Sequence, residues 1–442
     1  MIQKTKAIAQ TLTDILGPAA VRDWENIEVD QQKHISQTVS SGTTSTCIVY
    51  PNTQEELAQV IACAHQQRWR VLPCGGGSKL SWGGVAKGVD VVISTSRLNR
   101  VIEHAVGDLT ITVEAGAKFS DIQAILAASG QFIALDPSYQ QTATIGGIVA
   151  TADAGSLRQR YGGVRDMLLG ISFVRADGEM AKAGGRVVKN VAGYDLMKLF
   201  SGSFGTLGII SQATFRVYPL PEASQTVVLT GAADAAISQT TKTLLASALT
   251  PTAVDLRSTQ VVTNLGLGKG MGLITRFQSV TESVKQQSTR LLEVGQTLGL
   301  QCSSYSGTDE AELWQKLAEQ IWVSGKEPEI ICKIGMLPTA AVATLTLLDK
   351  IAPQQGMGLI HAGSGLGLLR FNPENAVNCV TKMRSHCQSH SGFLTVLEAP
   401  ISFKQQLDVW GYSGNALDLM RQIKQQFDPE NILSPHRFVA GI

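Results

Sequence analysis

Several large classes of protein are excluded by what this sequence has little of. It has almost no net charge, with 37 Lys and Arg against 36 Asp and Glu for +1 at pH 7. A nucleic-acid binder needs a basic surplus to meet the phosphates, so no nucleic-acid partner is expected. No apolar run approaches the roughly 18–20 residues that span a bilayer, so no integral membrane segment is expected either. The seven cysteines (Cys47, Cys63, Cys74, Cys302, Cys332, Cys379 and Cys387) are odd in number and form no Cys-x-x-Cys pair. That argues against a disulfide framework and against an iron–sulfur or zinc site built from this chain alone. Free thiols fit a reducing, cytoplasmic compartment. The N-terminus lacks the apolar core of a secretion signal, because Lys4, Lys6 and Gln10 interrupt it. Ile8, Leu12, Ile15 and Leu16 instead share one helical face that Gly17-Pro18 ends, which predicts a helix docked on the body of the protein. No internal repeat is visible.

What is present is a soluble, globular composition. The 442 residues are 44% hydrophobic and 17% charged, enough chain for two or three domains. Val21 to Thr46 is polar and without a clear period, like a linker. Regular units follow. Cys47 to Tyr50 reads as a strand, and Thr53 with Glu56 three residues on reads as a capping box. Leu57, Val60, Ile61 and Ala64 supply the buried stripe of the helix so begun. Val71 to Pro73 is a strand that runs into Cys74-Gly75-Gly76-Gly77-Ser78-Lys79, and Val89 to Ser94 and Leu109 to Glu114 are further strands. After Pro219-Leu220-Pro221, strand-like segments (226–229, 272–277, 330–334, 358–360) alternate with helical ones (233–248, 281–298, 340–351), which predicts a second, α+β domain. A last helix over 415–427 leads into Asp428-Pro429-Glu430-Asn431-Ile432-Leu433-Ser434-Pro435.

Between Leu135 and Pro219 glycine is dense, in Gly146-Gly147, Gly162-Gly163, Gly184-Gly185 and Gly205 among others. Such density with little charge marks backbone drawn closely around something. A dinucleotide is one such thing, because consecutive backbone N–H groups can converge on a pyrophosphate only where no side chain intrudes. Gly75-Gly76-Gly77 offers that cradle, with Ser78 as a hydroxyl donor and Lys79 as a cation. It is not a Walker A loop, since no G-x-x-x-x-G-K-[ST] string occurs. It is not the G-x-G-x-x-G fingerprint either, because Ser81-Trp82-Gly83-Gly84 keeps the chain irregular where that motif needs a helix.

Taken in order, PCGGGSKLSWGG, TIGGIVATADAG, RYGGVRD, AGYDLMKLFSGSFGTLGII and FDPENILSP resemble the vanillyl-alcohol-oxidase, or PCMH-type, FAD-binding family. The resemblance runs from about Cys47 to Phe438, and within that family it is most similar to the FAD-binding subunit of glycolate oxidase (glycolate dehydrogenase). It implies an α+β fold with a two-lobed FAD-binding domain over 45–221, preceded by a helix and linker over 1–44. A ferredoxin-like cap would span 222–400, and 401–442 would return to the FAD domain. Gly75, Gly76, Gly77, Ser78 and Lys79 would carry the pyrophosphate. Pro137, Thr144, Gly146 and Gly147 would lie along the ribityl and diphosphate chain. Ala150, Thr151, Gly155 and Tyr161 would face the flavin, and Gly205 through Ile209 and Ile210 the adenine or the ring. Gly193-Tyr194-Asp195 reads more simply as a turn. No histidine stands in the first loop, so a noncovalent FAD is expected. The implied partners are a catalytic FAD subunit and an iron–sulfur subunit of a glycolate oxidase complex, with a small 2-hydroxy acid as substrate and any membrane contact made through those partners.

The cap departs from the catalytic relatives. Their His-x-Gly-Asp-Gly-Asn-x-His string, which holds a metal, is here His361-Ala362-Gly363-Ser364-Gly365-Leu366-Gly367-Leu368. Their Gly-Glu-His-Gly string is here Leu397-Glu398-Ala399-Pro400. A lone imidazole rarely holds a metal, so no metal is expected and His361 reads as a packed histidine. Three readings stay open: a flavoprotein subunit that depends on partners, a self-sufficient FAD oxidoreductase, or a non-catalytic FAD-containing assembly subunit. The second needs a base, for which Tyr194, Lys189, Arg276, Arg370 and His436 are candidates.

Overall fold

The structure is a computed structural model that describes residues 2–40, 47–186, 193–322, 329–372 and 374–442. The chain forms two compact units. The first is Met1–Ala154, Gly163–Leu220 and Gly414–Ile442; the second is Gly155–Gly162 and Pro221–Ser413.

The first unit contains two sheets that set up the glycine loops. In one, Cys47–Val49 and Val71–Cys74 both run parallel to Val91–Ser94, with Val21–Arg22 antiparallel at the edge. Parallel strands need a crossover, and the helix Gln54–Gln67 provides it. Thr53 caps that helix by accepting from the Glu56 N–H at 3.1 Å. The Glu56 carboxylate returns to the N–H of Asn52, one residue before the expected partner. Leu57, Val60, Ile61 and Ala64 are its buried face, as their spacing predicts, and pack with Ile8 and Leu12 of the helix Ile2–Leu16. Each of the Leu, Val and Ile side chains among them contributes about 1.5–3 kcal/mol on burial. The second sheet is antiparallel, in the order Val101–Ala105, Thr110–Glu114, Ile209–Arg216, Leu168–Val174, Met180–Gly184.

Residues 21–40 are not a linker. They include the helix Val29–Ser36, and Ile27, Ile35 and Val39 pack on Ile48, Leu72 and Val92. Three core residues in a polar stretch, on a helix of 8 residues, leave too weak a period to read. The C-terminal crossing also falls later than 401. The Val396 N–H donates to Val409 at 2.8 Å, and Phe403 and Val409 enter the second unit's core, so residues 401–413 stay there.

The second unit is one eight-stranded sheet made of two halves. The first half is Ala223–Gly231, Ala253–Arg257, Met271–Ser279 and Gln301–Ser306, which lie in the order fourth, first, third, second. The second half is Ile330–Gly335, Met357–His361, Leu366–Phe371 and Phe393–Glu398, in the mirrored order second, third, first, fourth. In each half a helix joins the first strand to the second and another joins the third to the fourth. This is the βαββαβ ferredoxin-like arrangement, present twice. The repeat absent from the sequence is therefore present in the topology. Topology needs only the alternation of buried faces, which many different residues satisfy. The halves join along their second strands, over the pairs Asp255↔His361, Leu256↔Ile360 and Arg257↔Leu359.

Candidate functional site

A cleft opens in the first unit at the C-terminal end of the parallel strand Val71–Cys74. Ligands of parallel sheets bind at that end, because the connections there leave backbone N–H groups free. Two segments form most of the walls. One is the glycine loop that leaves Cys74; the other is the start of the helix Ile145–Thr151, where the Thr144 hydroxyl accepts from the Gly147 N–H at 3.4 Å.

These segments pack closely against each other. A Cβ on Gly75 would stand 2.0 Å from Thr144 Oγ1, and one on Gly76 would stand 2.5 Å from the Thr142 carbonyl oxygen. Gly77 has φ +81°, a conformation that side chains with a Cβ rarely adopt. Across the cleft Gly205 has φ +71°, and its Cβ would be 2.7 Å from the Pro73 ring. The glycines thus let the walls of the cleft approach one another more closely than side chains would allow, and they leave backbone N–H groups unshielded, as a diphosphate site needs.

Thirteen of the expected residues meet at this cleft: Gly75, Gly76, Gly77, Ser78, Lys79, Thr144, Gly146, Gly147, Ala150, Thr151, Gly205, Ile209 and Ile210. Pro137 does not line it; the ring is buried beside Ser138, whose N–H donates to Asp153. Gly155 and Tyr161 belong to the segment Gly155–Gly162 of the other unit.

Lys79 lines the cleft, but its charge is already matched. The ammonium is buried, lies 3.2 Å from Asp153 Oδ2 and donates to the Ser138 carbonyl at 3.1 Å. It ties the 75–79 loop to the 138–153 segment in place of standing free as a counter-cation. Sequence reading could not see this, because Asp153 is far away along the chain. Cys74 is an inert wall: burial pushes its thiol up to about 12, so it stays protonated.

One cleft residue carries no warning in the sequence. Arg437 comes from the C-terminal tail, is 4% exposed, and lines the same cleft. The tail reaches this place by pairing with the strand Val71–Cys74: the Val71 N–H donates to Ile432 at 2.7 Å and the Ser434 N–H to Val71 at 2.9 Å. The only signal available was a basic residue after FDPENILSP.

None of the described candidate bases lines the cleft. Tyr194 is 88% exposed, and Lys189 lies outside the described residues. Arg276 is held by Glu310 and Ser224, and Arg370 by Glu329. Burial holds His436 below the ordinary imidazole value, with Lys87 and Arg70 adding to the effect.

In the second unit, the histidine that remains from the metal string is engaged by a carboxylate. His361 Nδ1 is 2.8 Å from Asp255 Oδ1, while Asp255 Oδ2 accepts from Ser156 at 2.6 Å and Arg257 at 3.0 Å. Ser364 lies in the turn after His361, whereas Leu366 and Leu368 belong to the strand Leu366–Phe371. Among the described residues no three His, Cys, Asp or Glu side chains come together as a metal-ion set. Burial would push Asp255 up, yet His361, Arg257 and Ser156 together hold it below the ordinary carboxylate value. A carboxylate lowered in this way contributes stability above its unfolded pKa and loses it as pH falls through the folded one. The second unit of the wild type is therefore expected to weaken in acid, below about pH 4. In Asp255→Asn it starts weaker at neutral pH and loses that part of the slope. Urea midpoints measured down the acid range check this; parallel slopes in the two proteins would refute it.

Comparison with known proteins agrees with the cleft. Residues 45–184 match the FAD binding domain family FAD_binding_4. The chain is 24% identical over 426 residues to glycolate oxidase subunit GlcD of Bacillus subtilis, covering 89% of this chain and 88% of that protein. It is 26% identical over 446 residues to the mitochondrial D-lactate dehydrogenase (cytochrome) of Arabidopsis thaliana, covering 89% and 73%. Among solved structures, 4-ethylphenol oxidase from Gulosibacter chungangensis matches with a TM-score of 0.77 at 14% identity, covering 99% of this chain and 97% of that one. p-Cresol methylhydroxylase with substrate bound matches with a TM-score of 0.75, also at 14% identity and with the same coverage. At such identities the structures speak for the fold alone. Glycine loops that fit a dinucleotide, the family match over 45–184 and relatives aligned along most of the chain lead to one assignment: FAD is the cofactor, and this chain is an FAD-linked oxidoreductase built on the PCMH-type FAD-binding domain.

Proposed function

We propose that this chain is the FAD-binding subunit of a complex that oxidises glycolate or a similar 2-hydroxy acid and passes the electrons to an iron–sulfur partner. The observation that carries this reading is the glycine-walled cleft, taken with a likeness to glycolate oxidase subunit GlcD over 88% of that protein. Bound FAD supplies the hydride acceptor. The chain's own residues hold and orient it: Gly75, Gly76 and Gly77 admit the diphosphate to backbone N–H groups. Thr144 fixes the start of the second segment, and Phe204, Ile209 and Ile210 give the cleft apolar walls. Dependence on partners follows from the seven scattered cysteines, which offer no cluster of their own. The expected setting is cytoplasmic, with any membrane contact made through partners; no described helix is long and apolar enough to cross a membrane.

The purified protein should be yellow, and acid precipitation should release all its FAD, as a noncovalent cofactor requires. Flavin that stays with the acid-precipitated protein would refute noncovalent binding. Purification from its own cell at native levels should bring down an iron–sulfur protein and a second flavoprotein. A second reading, a self-sufficient dehydrogenase, is favoured by the buried Asp255–His361 pair, which fixes one imidazole nitrogen as a proton-handling group would need. Anaerobic glycolate or D-lactate added to the isolated chain separates the two. Bleaching of the flavin without partners would overturn the dependent-subunit reading.

A further inference from the structure

The first unit buries two cations at its cleft and treats them differently. Lys79 has Asp153 at 3.2 Å. Arg437 is as deeply buried and has no acidic partner among the described residues. Its Nη1 donates to the Gly84 carbonyl at 3.0 Å, and its Nε has no partner among the described residues. Burial without a nearby carboxylate pushes the guanidinium down to about 10, still fully charged at neutral pH. A buried charge is costly unless an opposite charge or several acceptors meet it. A second donor waits beside it. The Ser434 hydroxyl, three residues earlier, is buried without a partner among the described residues and stands 3.1 Å from where a Cβ on the cleft residue Gly205 would be.

We propose that Arg437 is the counter-cation of the FAD diphosphate, delivered to the cleft by the C-terminal tail with Ser434 as an accompanying donor. The inference rests on the FAD assignment and adds what the glycine loops cannot supply: a full positive charge. Backbone N–H groups bring only partial charges, and Lys79 is already neutralised by Asp153. Arginine suits the place, because its planar fork keeps several N–H groups for phosphate oxygens while one holds Gly84. The tail is fixed for this task. Gly84 and Arg437 are bonded twice, the Gly84 N–H donating back to the Arg437 carbonyl at 3.0 Å, so the side chain leaves a braced backbone. The consequence is that the last residues of the chain belong to the cofactor site as much as the first glycine loop does.

The test uses the full chain stripped of flavin, as wild type, Arg437→Met and Arg437→Lys. Wild type must first bind FAD, and if it does not, the FAD assignment fails and not this inference. Arg437→Met is expected to lose about ten- to a hundred-fold in FAD affinity, the loss typical of hydrogen bonds to a charged group. Arg437→Lys should recover most of it, and the salt dependence of binding should flatten in Arg437→Met alone. The flavin-free proteins give the second readout. Removing a buried, unmatched charge should leave the melting temperature of Arg437→Met equal to wild type or above it. A merely structural arginine would lower it. Unchanged FAD affinity, or a loss of affinity that tracks a matching drop in flavin-free stability, would overturn the proposal.

Discussion

Gly76→Val is expected to purify with little or no flavin. The new Cβ would lie 2.5 Å from the Thr142 carbonyl oxygen, and this neighbour is backbone, which cannot swing aside as a side chain can. The 74–79 loop and the 138–144 segment would have to separate, and overpacking of this kind costs about 1–3 kcal/mol. Most of that strain falls on the geometry of the cleft, so a ten- to hundred-fold loss of FAD affinity is expected. The ratio of visible flavin absorbance to protein absorbance reads it directly, and titration of flavin-free protein gives the affinity. Gly107→Val is the control, since a Cβ there meets nothing within 4 Å. Equal flavin content in Gly76→Val and wild type would mean that the dinucleotide does not lie against this loop.

Lys424→Met is expected to have the largest effect on stability. The Lys424 ammonium donates to the Thr206 carbonyl at 2.9 Å, the Leu433 carbonyl at 3.0 Å and Asp428 at 2.6 Å, so all three of its protons are used. Asp428 is 1% exposed and also accepts from the N–H groups of Ile432 and Leu433. Burial lowers Lys424 from the ordinary lysine value, and Asp428 opposes that shift. Taking one charge from such a pair leaves the other stranded, which costs about 3–5 kcal/mol. For a unit of this size that is a fall in Tm of roughly 10 °C. The double variant Lys424→Met with Asp428→Asn removes both charges while keeping an acceptor for the backbone, so it should regain much of the loss. A single variant that melts with the wild type would show the pair to be dispensable.

The same residues explain what the sequence could and could not reveal. FDPENILSP stood out as a motif, and its meaning is now physical: Asp428 pins the turn whose end carries Ser434 and Arg437. The glycine loops were legible because a missing side chain is a local fact, written at the position where space is needed. The stripe Leu57, Val60, Ile61 and Ala64 was legible for a similar reason, since helical period is local. Arg437 was not legible as a cleft residue, because its place depends on a tail returning from the far end of the chain to the strand Val71–Cys74. Lys79 misled in the opposite direction. Its position beside three glycines suggests a free cation, and only the fold brings Asp153 to it. The strand Ala253–Arg257 escaped notice for another reason. It carries Asp255 and Arg257 at fully buried positions, so its charge hid its burial.

That strand has a consequence for how the second unit acquires its form. The two βαββαβ halves each close most of their contacts within a short stretch of chain, and short loops close fast. The seam between them is three residue pairs wide, and one pair places Asp255 opposite His361. A slip of either strand by one residue would put Asp255 and His361 on opposite faces and part the carboxylate from the imidazole. The seam therefore favours a single register for the join. Opening of this narrow seam is expected to cost less than opening of either half, and amide exchange at Leu256 and Ile360, compared with exchange inside the halves, checks it.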